Sequence, residues 1–357
     1  MITHNDYMDD LLAQPAALKE LLAHFSPESF VPLAARLHAG EFANLVISGM
    51  GSSYCAAYPA YLQLSAQKMP PAYLPPAILP PVAMIPAAEL LHYAAGQIKP
   101  NTLLWLNSQS GRSAEIVRLL DDVQPGCILA CVNDLTSPLA LKANFRQPIW
   151  AGAESTVSTK TYITMLAANL LIAAQLSGAA LEPIFAHLVQ AANLIADYLA
   201  NWQYHLQEIR QIPLQAGKTV LLGRGASMAS VWCGSLINKE AAKFLIEGLN
   251  SADFRHGPLE LVSPGFTTIL FGGDKKAQAL NQILAQDILE RGGQVIWIGS
   301  SSPDLVGLAA LPIPDSAEIT RPLLEILPLQ LLSIQLAQQQ GLQPGIFRHV
   351  SKITLTE

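Results

Sequence analysis

The sequence predicts an α/β protein made of two similar halves, each a parallel sheet covered by helices, and three observations carry that prediction. Short apolar runs alternate with stretches of helical periodicity along most of the chain, which is how parallel strands and their crossover helices are spaced. The run Leu45-Val46-Ile47-Ser48-Gly49-Met50-Gly51-Ser52-Ser53 has a counterpart about half a chain later in Val220-Leu221-Leu222-Gly223-Arg224-Gly225-Ala226-Ser227. Both are an apolar strand, then Gly-x-Gly-x-Ser, then a helix, the mark of a duplication at domain scale. A length of 357 residues exceeds one ordinary core and suits two domains.

Taken in order, residues 4–38 carry helical periodicity in Leu11, Leu12, Leu18, Leu21, Leu22, Phe25, Leu33 and Leu37, so residues 1–43 form a helical lead-in. A strand over 44–49 leads into a helix from Tyr54 to about Gln67. Seven prolines between Met69 and Pro86 exclude helix and leave at most a weak strand at Ala77-Ile78-Leu79. The first domain, 44–200, continues with strand 102–107, helix 113–123, strand 127–133, a loop through Ser137-Pro138, strand 148–151 and a long helix from about 159. The stretch Thr161–Leu181 has no charged residue and could span a bilayer, but its Thr, Asn and Gln content favours a buried helix. Periodicity from Leu181 to Ile209 predicts a helical hairpin. The second domain, 201–357, carries strand 218–223, helix 228–245, strand 267–272, helix 276–291, strand 294–299, helix 322–340 and a C-terminal tail.

The chain is 51% hydrophobic and 13% charged, against about 25% charged in ordinary soluble domains. Either a large core or apolar surface covered between domains or subunits follows. A net charge of −6 without any Lys/Arg cluster excludes nucleic acid as a partner. The four cysteines, Cys55, Cys127, Cys131 and Cys233, form no CxxC pair and read as buried thiols of a protein in the reducing cytoplasm. The N-terminus has neither the basic nor the apolar region of a signal peptide, and no membrane association is expected. No His, Cys, Asp or Glu cluster stands at ligand spacing, so the expected chemistry uses no metal and no cofactor. A dinucleotide fingerprint at Gly49-x-Gly51 fails, because Tyr54 replaces the third glycine and no acidic residue ends a strand about 20 residues on.

The stretch Asn107-Ser108-Gln109-Ser110-Gly111-Arg112-Ser113 joins an apolar strand to a helix. Such a turn aims backbone N–H groups, the positive end of a helix dipole and three serine hydroxyls at one spot, which suits a phosphate monoester. The simpler alternative is a Ser/Gly connector in which Ser113 only caps the helix. Glu240, by its residues alone, is an ordinary helix carboxylate that partial burial would make a base near neutral pH. His256 sits where Gly257-Pro258 enforces a turn, leaving its ring on a loop.

Asn107–Ser113, together with Gly51-Ser52-Ser53-Tyr54, Ser158-Thr159-Lys160 and Arg255-His256-Gly257-Pro258, resembles the sugar isomerase (SIS) family, in particular the isomerase module of glucosamine-6-phosphate synthase and the stand-alone phosphosugar isomerases and deaminases. The resemblance runs from about residue 44 to the C-terminus. It implies two tandem SIS domains, each a flavodoxin-like parallel sheet, with a second strand near the proline segment before a short helix opening at Ala87. It also implies that Ser52, Ser53, Ser108, Gln109, Ser110 and Ser113 bind the phosphate and that Ser158 contacts the sugar. Glu240 would carry the proton between carbons, and Lys352 would reach over the sugar. His256 would open the ring from a neighbouring subunit, which makes a homodimer or larger assembly the expected state. Two departures are Arg112, where the synthase has glutamate, and a spacing from Glu154 to Lys160 one residue short. The expected activity is aldose–ketose isomerisation or deamination of an amino-sugar phosphate of the glucosamine-6-phosphate/fructose-6-phosphate type, without a glutaminase domain. A sugar-phosphate-binding regulator and a fructosamine-6-phosphate deglycase are the alternatives.

Overall fold

The computed structural model describes residues 5–66, 79–212 and 214–356. The chain opens with α1 (Asp6–Leu12), α2 (Gln14–His24) and α3 (Val31–His38). It continues through β1 (Asn44–Gly49), α4 (Gly51–Ser65), β2 (Val82–Pro86), α5 (Ala87–Tyr93), β3 (Thr102–Asn107), α6 (Ala114–Asp122), β4 (Cys127–Val132), α7 (Pro138–Lys142), β5 (Phe145–Pro148) and α8 (Lys160–Ser177). After α9 (Leu181–Ala200) and α10 (Trp202–Arg210) come β6 (Thr219–Gly223), α11 (Met228–Ala242), β7 (Glu247–Asn250), α12 (Ser251–Arg255), β8 (Thr267–Phe271), α13 (Lys275–Glu290), β9 (Gln294–Gly299), β10 (Leu308–Pro312) and α14 (Arg321–Gln339).

The first sheet has the order β2-β1-β3-β4-β5 and the second β10-β9-β8-β6-β7, every pairing parallel. Read from its β7 edge, the second sheet repeats the order of the first, so the duplication seen in the residues is a duplication of topology. In each sheet the strand order reverses beside the first strand, between β1 and β3 and between β6 and β8, and there the carboxyl ends of the strands open a crevice.

The chain forms two compact units: Ala16–Glu154 with Lys160–Val189 and His349–Glu357, and Gln190–Arg348 with Met1–Pro15 and Ser155–Thr159. In the first, alternate residues of the strands, Val46, Leu104, Leu106, Ala130 and Val132, pack with Leu90 of α5 and Ile116 and Leu119 of α6. The opposite face carries Trp105 and Cys131, whose Nε1 and Sγ lie 3.4 Å apart, and α8 is buried along nearly its whole length. In the second, Val220, Leu222, Leu270, Val295 and Trp297 pack with Leu284 and Ile288 of α13. Among the described residues no helix is long and apolar enough to cross a membrane. All four cysteines are buried and none is in a disulfide among the described residues, and burial pushes the Cys131 thiol up to about 12.

Several elements differ from the sequence expectation. The strand expected at 148–151 is β5 at Phe145–Pro148. The Asn133 side chain takes over the backbone groups beyond it, accepting from Ala151 N at 3.1 Å and donating to Gly152 O at 2.7 Å, and Trp150 turns into the left-handed region at φ 52. α4 begins at Gly51, not Tyr54, so Ser52 and Ser53 lie in its first turn. Ser137 accepts from Ala140 N and starts the short helix α7 where a loop was expected. Residues 77 and 78 of the weak proline-segment strand lie outside the described residues; the strand observed is β2 at the sheet edge, where proline is tolerated.

Candidate active site

Two β-to-α junctions meet at the switch point of the first sheet. Ser53, in the first turn of α4, and the loop Ser108–Ser113, between β3 and α6, are joined by a hydrogen bond from Gln109 N to Ser53 Oγ at 3.3 Å. Ser108 Oγ accepts from Gly111 N at 3.1 Å and Ser110 Oγ from Arg112 N at 3.2 Å. Ser53, Ser108 and Ser110 are buried, and Ser52, Gln109 and Ser113 are partly exposed. With its oxygen accepting from the backbone, each serine keeps a hydroxyl proton to donate. Among the described residues those of Ser53 and Ser110 have no acceptor, and neither have the amides of Ser110 and Ser113. Ser113 occupies the N-cap position of α6 but makes no side-chain capping bond; its Oγ lies 3.5 Å from Ser108 Oγ. Capping is therefore not what the hydroxyl does.

The loop is seated from outside. Gly111 has φ 62, and a Cβ there would lie 2.1 Å from Ser137 Oγ, so only glycine fits between the loop and α7. Arg112 donates to Asp134 Oδ2 from Nε at 3.1 Å and Nη2 at 2.8 Å. Hydrogen bonds from Thr136, with Arg112 beside it, hold the Asp134 carboxyl below its usual range.

The C-terminal residues return to the same unit. Lys352 Nζ lies 2.7 Å from Glu154 Oε2, and Glu154 also accepts from Thr161 N at 3.1 Å and Thr161 Oγ1 at 2.6 Å. The Glu154 carboxylate is completely buried, and Lys160 donates to the Ala153 carbonyl. The shortened segment 154–160 thus closes as a tight turn around one carboxylate. Two residues beyond Lys352, the Thr354 carbonyl accepts from Ala114 N, the first amide of α6, at 3.0 Å.

Ser52, Ser53, Ser108, Gln109, Ser110, Ser113 and Lys352 belong to this unit, and Ser158, Glu240 and His256 to the other. Glu240 is partly buried in the last turn of α11. Lys243 ends that helix in the left-handed region at φ 55 and donates to the Glu240 and Ile346 carbonyls. Burial, with Arg348 nearby, holds the Lys243 ammonium below its usual range. His256 is exposed at the end of α12, and its ring has no hydrogen-bond partner among the described residues. The preceding Arg255 is fixed to Asp287 of α13 at 2.6 Å. Ser158 is partly buried.

Sequence reasoning missed Glu325 on α14. It is fully buried, it accepts from Ser227 Oγ at 2.9 Å, and burial pushes its pKa up to about 7. The available signal was a single carboxylate inside the apolar run Pro322-Leu323-Leu324-Glu325-Ile326-Leu327.

No family model matches the chain. It is 25% identical over 372 residues to the glutamine–fructose-6-phosphate aminotransferase (isomerizing) of Rhizobium meliloti, an alignment that takes in 99% of this chain and 59% of that relative. The chain thus spans less than two thirds of the curated relative's length. Among solved structures, the C-terminal domain of glucosamine-fructose-6-phosphate aminotransferase from Francisella tularensis superposes with a TM-score of 0.82 at 21% identity, covering 97% of this chain and 98% of that one. The glucosamine-6-phosphate deaminase of Thermotoga maritima superposes with a TM-score of 0.74 at 19% identity, covering 98% and 99%. Relatives in sequence and neighbours in fold are alike proteins named for amino-sugar and sugar phosphates, and the two parallel five-stranded sheets of this chain share the fold of these solved structures over nearly their whole length.

Proposed function

We propose that the chain is a phosphosugar isomerase or deaminase acting on an amino-sugar phosphate of the glucosamine-6-phosphate/fructose-6-phosphate type. The observation that carries this reading is the pair of buried hydroxyls, Ser53 and Ser110, whose oxygens accept from backbone amides while their protons have no acceptor among the described residues. Donors aimed from two strand-to-helix junctions, each at a helix N-terminus, suit a dianion.

Held by its phosphate, the sugar needs a base that takes the proton from the carbon beside the carbonyl and returns it to the neighbouring carbon through an enediolate. Glu240 is assigned that transfer. His256, with its exposed ring, is assigned ring opening in a neighbouring subunit of a homodimer or larger assembly. Ser158 contacts the sugar. Lys352 reaches over it once released from Glu154, where the Thr161 donors remain to satisfy the carboxylate. In deamination, water adds to the C2 imine and ammonia leaves. Every step is a proton transfer or addition made by side chains of the chain itself.

Incubation with glucosamine-6-phosphate, fructose-6-phosphate and a phosphorylated fructosamine, with ammonia, free amine and interconversion as readouts, separates isomerase, deaminase and deglycase. Glu240→Gln is expected to abolish turnover while phosphosugar binding stays within roughly tenfold. Full activity in that variant removes Glu240 from the scheme, and binding without turnover across the substrates favours a regulator.

A further inference from the structure

The Gly-x-Gly-x-Ser turn occurs twice, at the switch points of two sheets with one strand order. Gly51 and Gly225 share the same left-handed backbone, at φ 53 and 56, and Ser227 stands in the second half where Ser53 stands in the first. Their hydroxyls do different work. Ser53 accepts from a backbone amide, whereas Ser227 donates at 2.9 Å to Glu325 Oε1. Glu325 is fully buried, and its Oε2 has no hydrogen-bond partner among the described residues. At the end of β8, where the first half has its serine loop, Asp274 accepts from Ala277 N at 2.8 Å and Glu318 accepts from Lys275 N at 3.2 Å. Arg321 Nη1 is turned to the Gly273 carbonyl. The serine hydroxyl that has no acceptor in the first half therefore meets a carboxyl of the chain itself in the second, and the first amides of α13 meet two more.

We propose that the second-half crevice is an anion site filled from within: Glu325 stands where the first half takes a phosphate, so each chain carries one phosphosugar site and not two. An incoming dianion would find the place beside Ser227 already taken by the Glu325 carboxyl and the first amides of α13 already taken by Asp274 and Glu318, so it is excluded by occupied space and engaged donors.

Glu325→Ala deletes a CH2–carboxyl fragment, which acetate replaces. Thermal unfolding of the full chain, wild type, Glu325→Ala and Glu325→Gln, is read in acetate and in chloride at equal ionic strength. Acetate is expected to raise the melting temperature of Glu325→Ala by about 2–4 °C beyond chloride and to leave wild type and Glu325→Gln unmoved. Identical values in both salts, or the same acetate response in a Ser227→Ala/Glu325→Ala variant, overturn the proposal. Equilibrium dialysis of inorganic phosphate gives a second reading that needs no folded Glu325→Ala. Ser53→Ala/Ser110→Ala is expected to retain no stoichiometric site, and a retained site that Ser227→Ala removes overturns the proposal. Wild type that takes up no phosphate would instead count against the first-half anchor, so the two failures are distinguishable.

Discussion

At the scale of single residues, the hollow of the first half is a matter of which way hydroxyl protons point. Ser53 and Ser110 accept from backbone amides, and in the proposed function their protons are donated to the phosphate. Each such bond to a charged group is worth about 1.5–3 kcal/mol. Ser53→Ala and Ser110→Ala should therefore each weaken phosphosugar binding roughly 10- to 100-fold, measured as Kd at a temperature where unfolding titrations show each variant folded, since each also removes the acceptor of a backbone amide; a loss below twofold in both removes the hollow as anchor. Glu325 gives a second prediction, in pH. Burial raises its folded pKa from 4.5 to about 7, against repulsion from Asp274 that adds to the rise and attraction from Ser227 and Arg321 that opposes it. The stability this group contributes is full below its unfolded pKa and is lost as pH rises through about 7, on the order of 3 kcal/mol at most. Denaturant titrations of Glu325→Gln should show a flatter decline between about pH 5 and 8 than the wild type. That Ser53 and the 108–113 loop meet at one switch point was legible from two strand-to-helix turns in a parallel α/β pattern, whereas their binding role was expected only from the family resemblance. That Ser113 does not cap, and that Glu325 lies under Ser227, depended on contacts made across the fold.

At the scale of elements, the loop proposed to bind phosphate depends on the turn that seats it. Gly111 combines φ 62 with a Cβ position 2.1 Å from Ser137 Oγ. Gly111→Ala should shift the loop, costing about 1–3 kcal/mol of stability and at least tenfold in phosphosugar affinity, read by denaturant unfolding and calorimetry. An unchanged affinity would mean that the loop geometry is not what binds. The central strands β1, β3, β4, β6, β8 and β9 were readable because both faces are covered and apolar runs follow. The edge strands β7 and β10 were not: Glu247-Gly248-Leu249-Asn250 and the partly exposed Leu308–Pro312 lack that signature. β5 was misplaced because one side chain, Asn133, satisfies the backbone just beyond it.

At the scale of the whole molecule, the two sheets share one topology, and the proposed chemistry calls on a second copy of the chain. If His256 acts in the neighbouring subunit, mixing Glu240→Gln with His256→Ala should restore activity that neither variant has. Random exchange in a dimer would leave roughly a quarter of the wild-type sites intact. No recovery after verified subunit exchange places both residues in the same chain's site. The duplication was legible in the residues alone, whereas the return of the C-terminal segment to the first unit was not, because nothing in Lys352 names its partner. That return has a consequence for biosynthesis. The Lys352–Glu154 pair bridges 198 residues of sequence, so the earlier-translated half cannot finish assembling until the later one has left the ribosome.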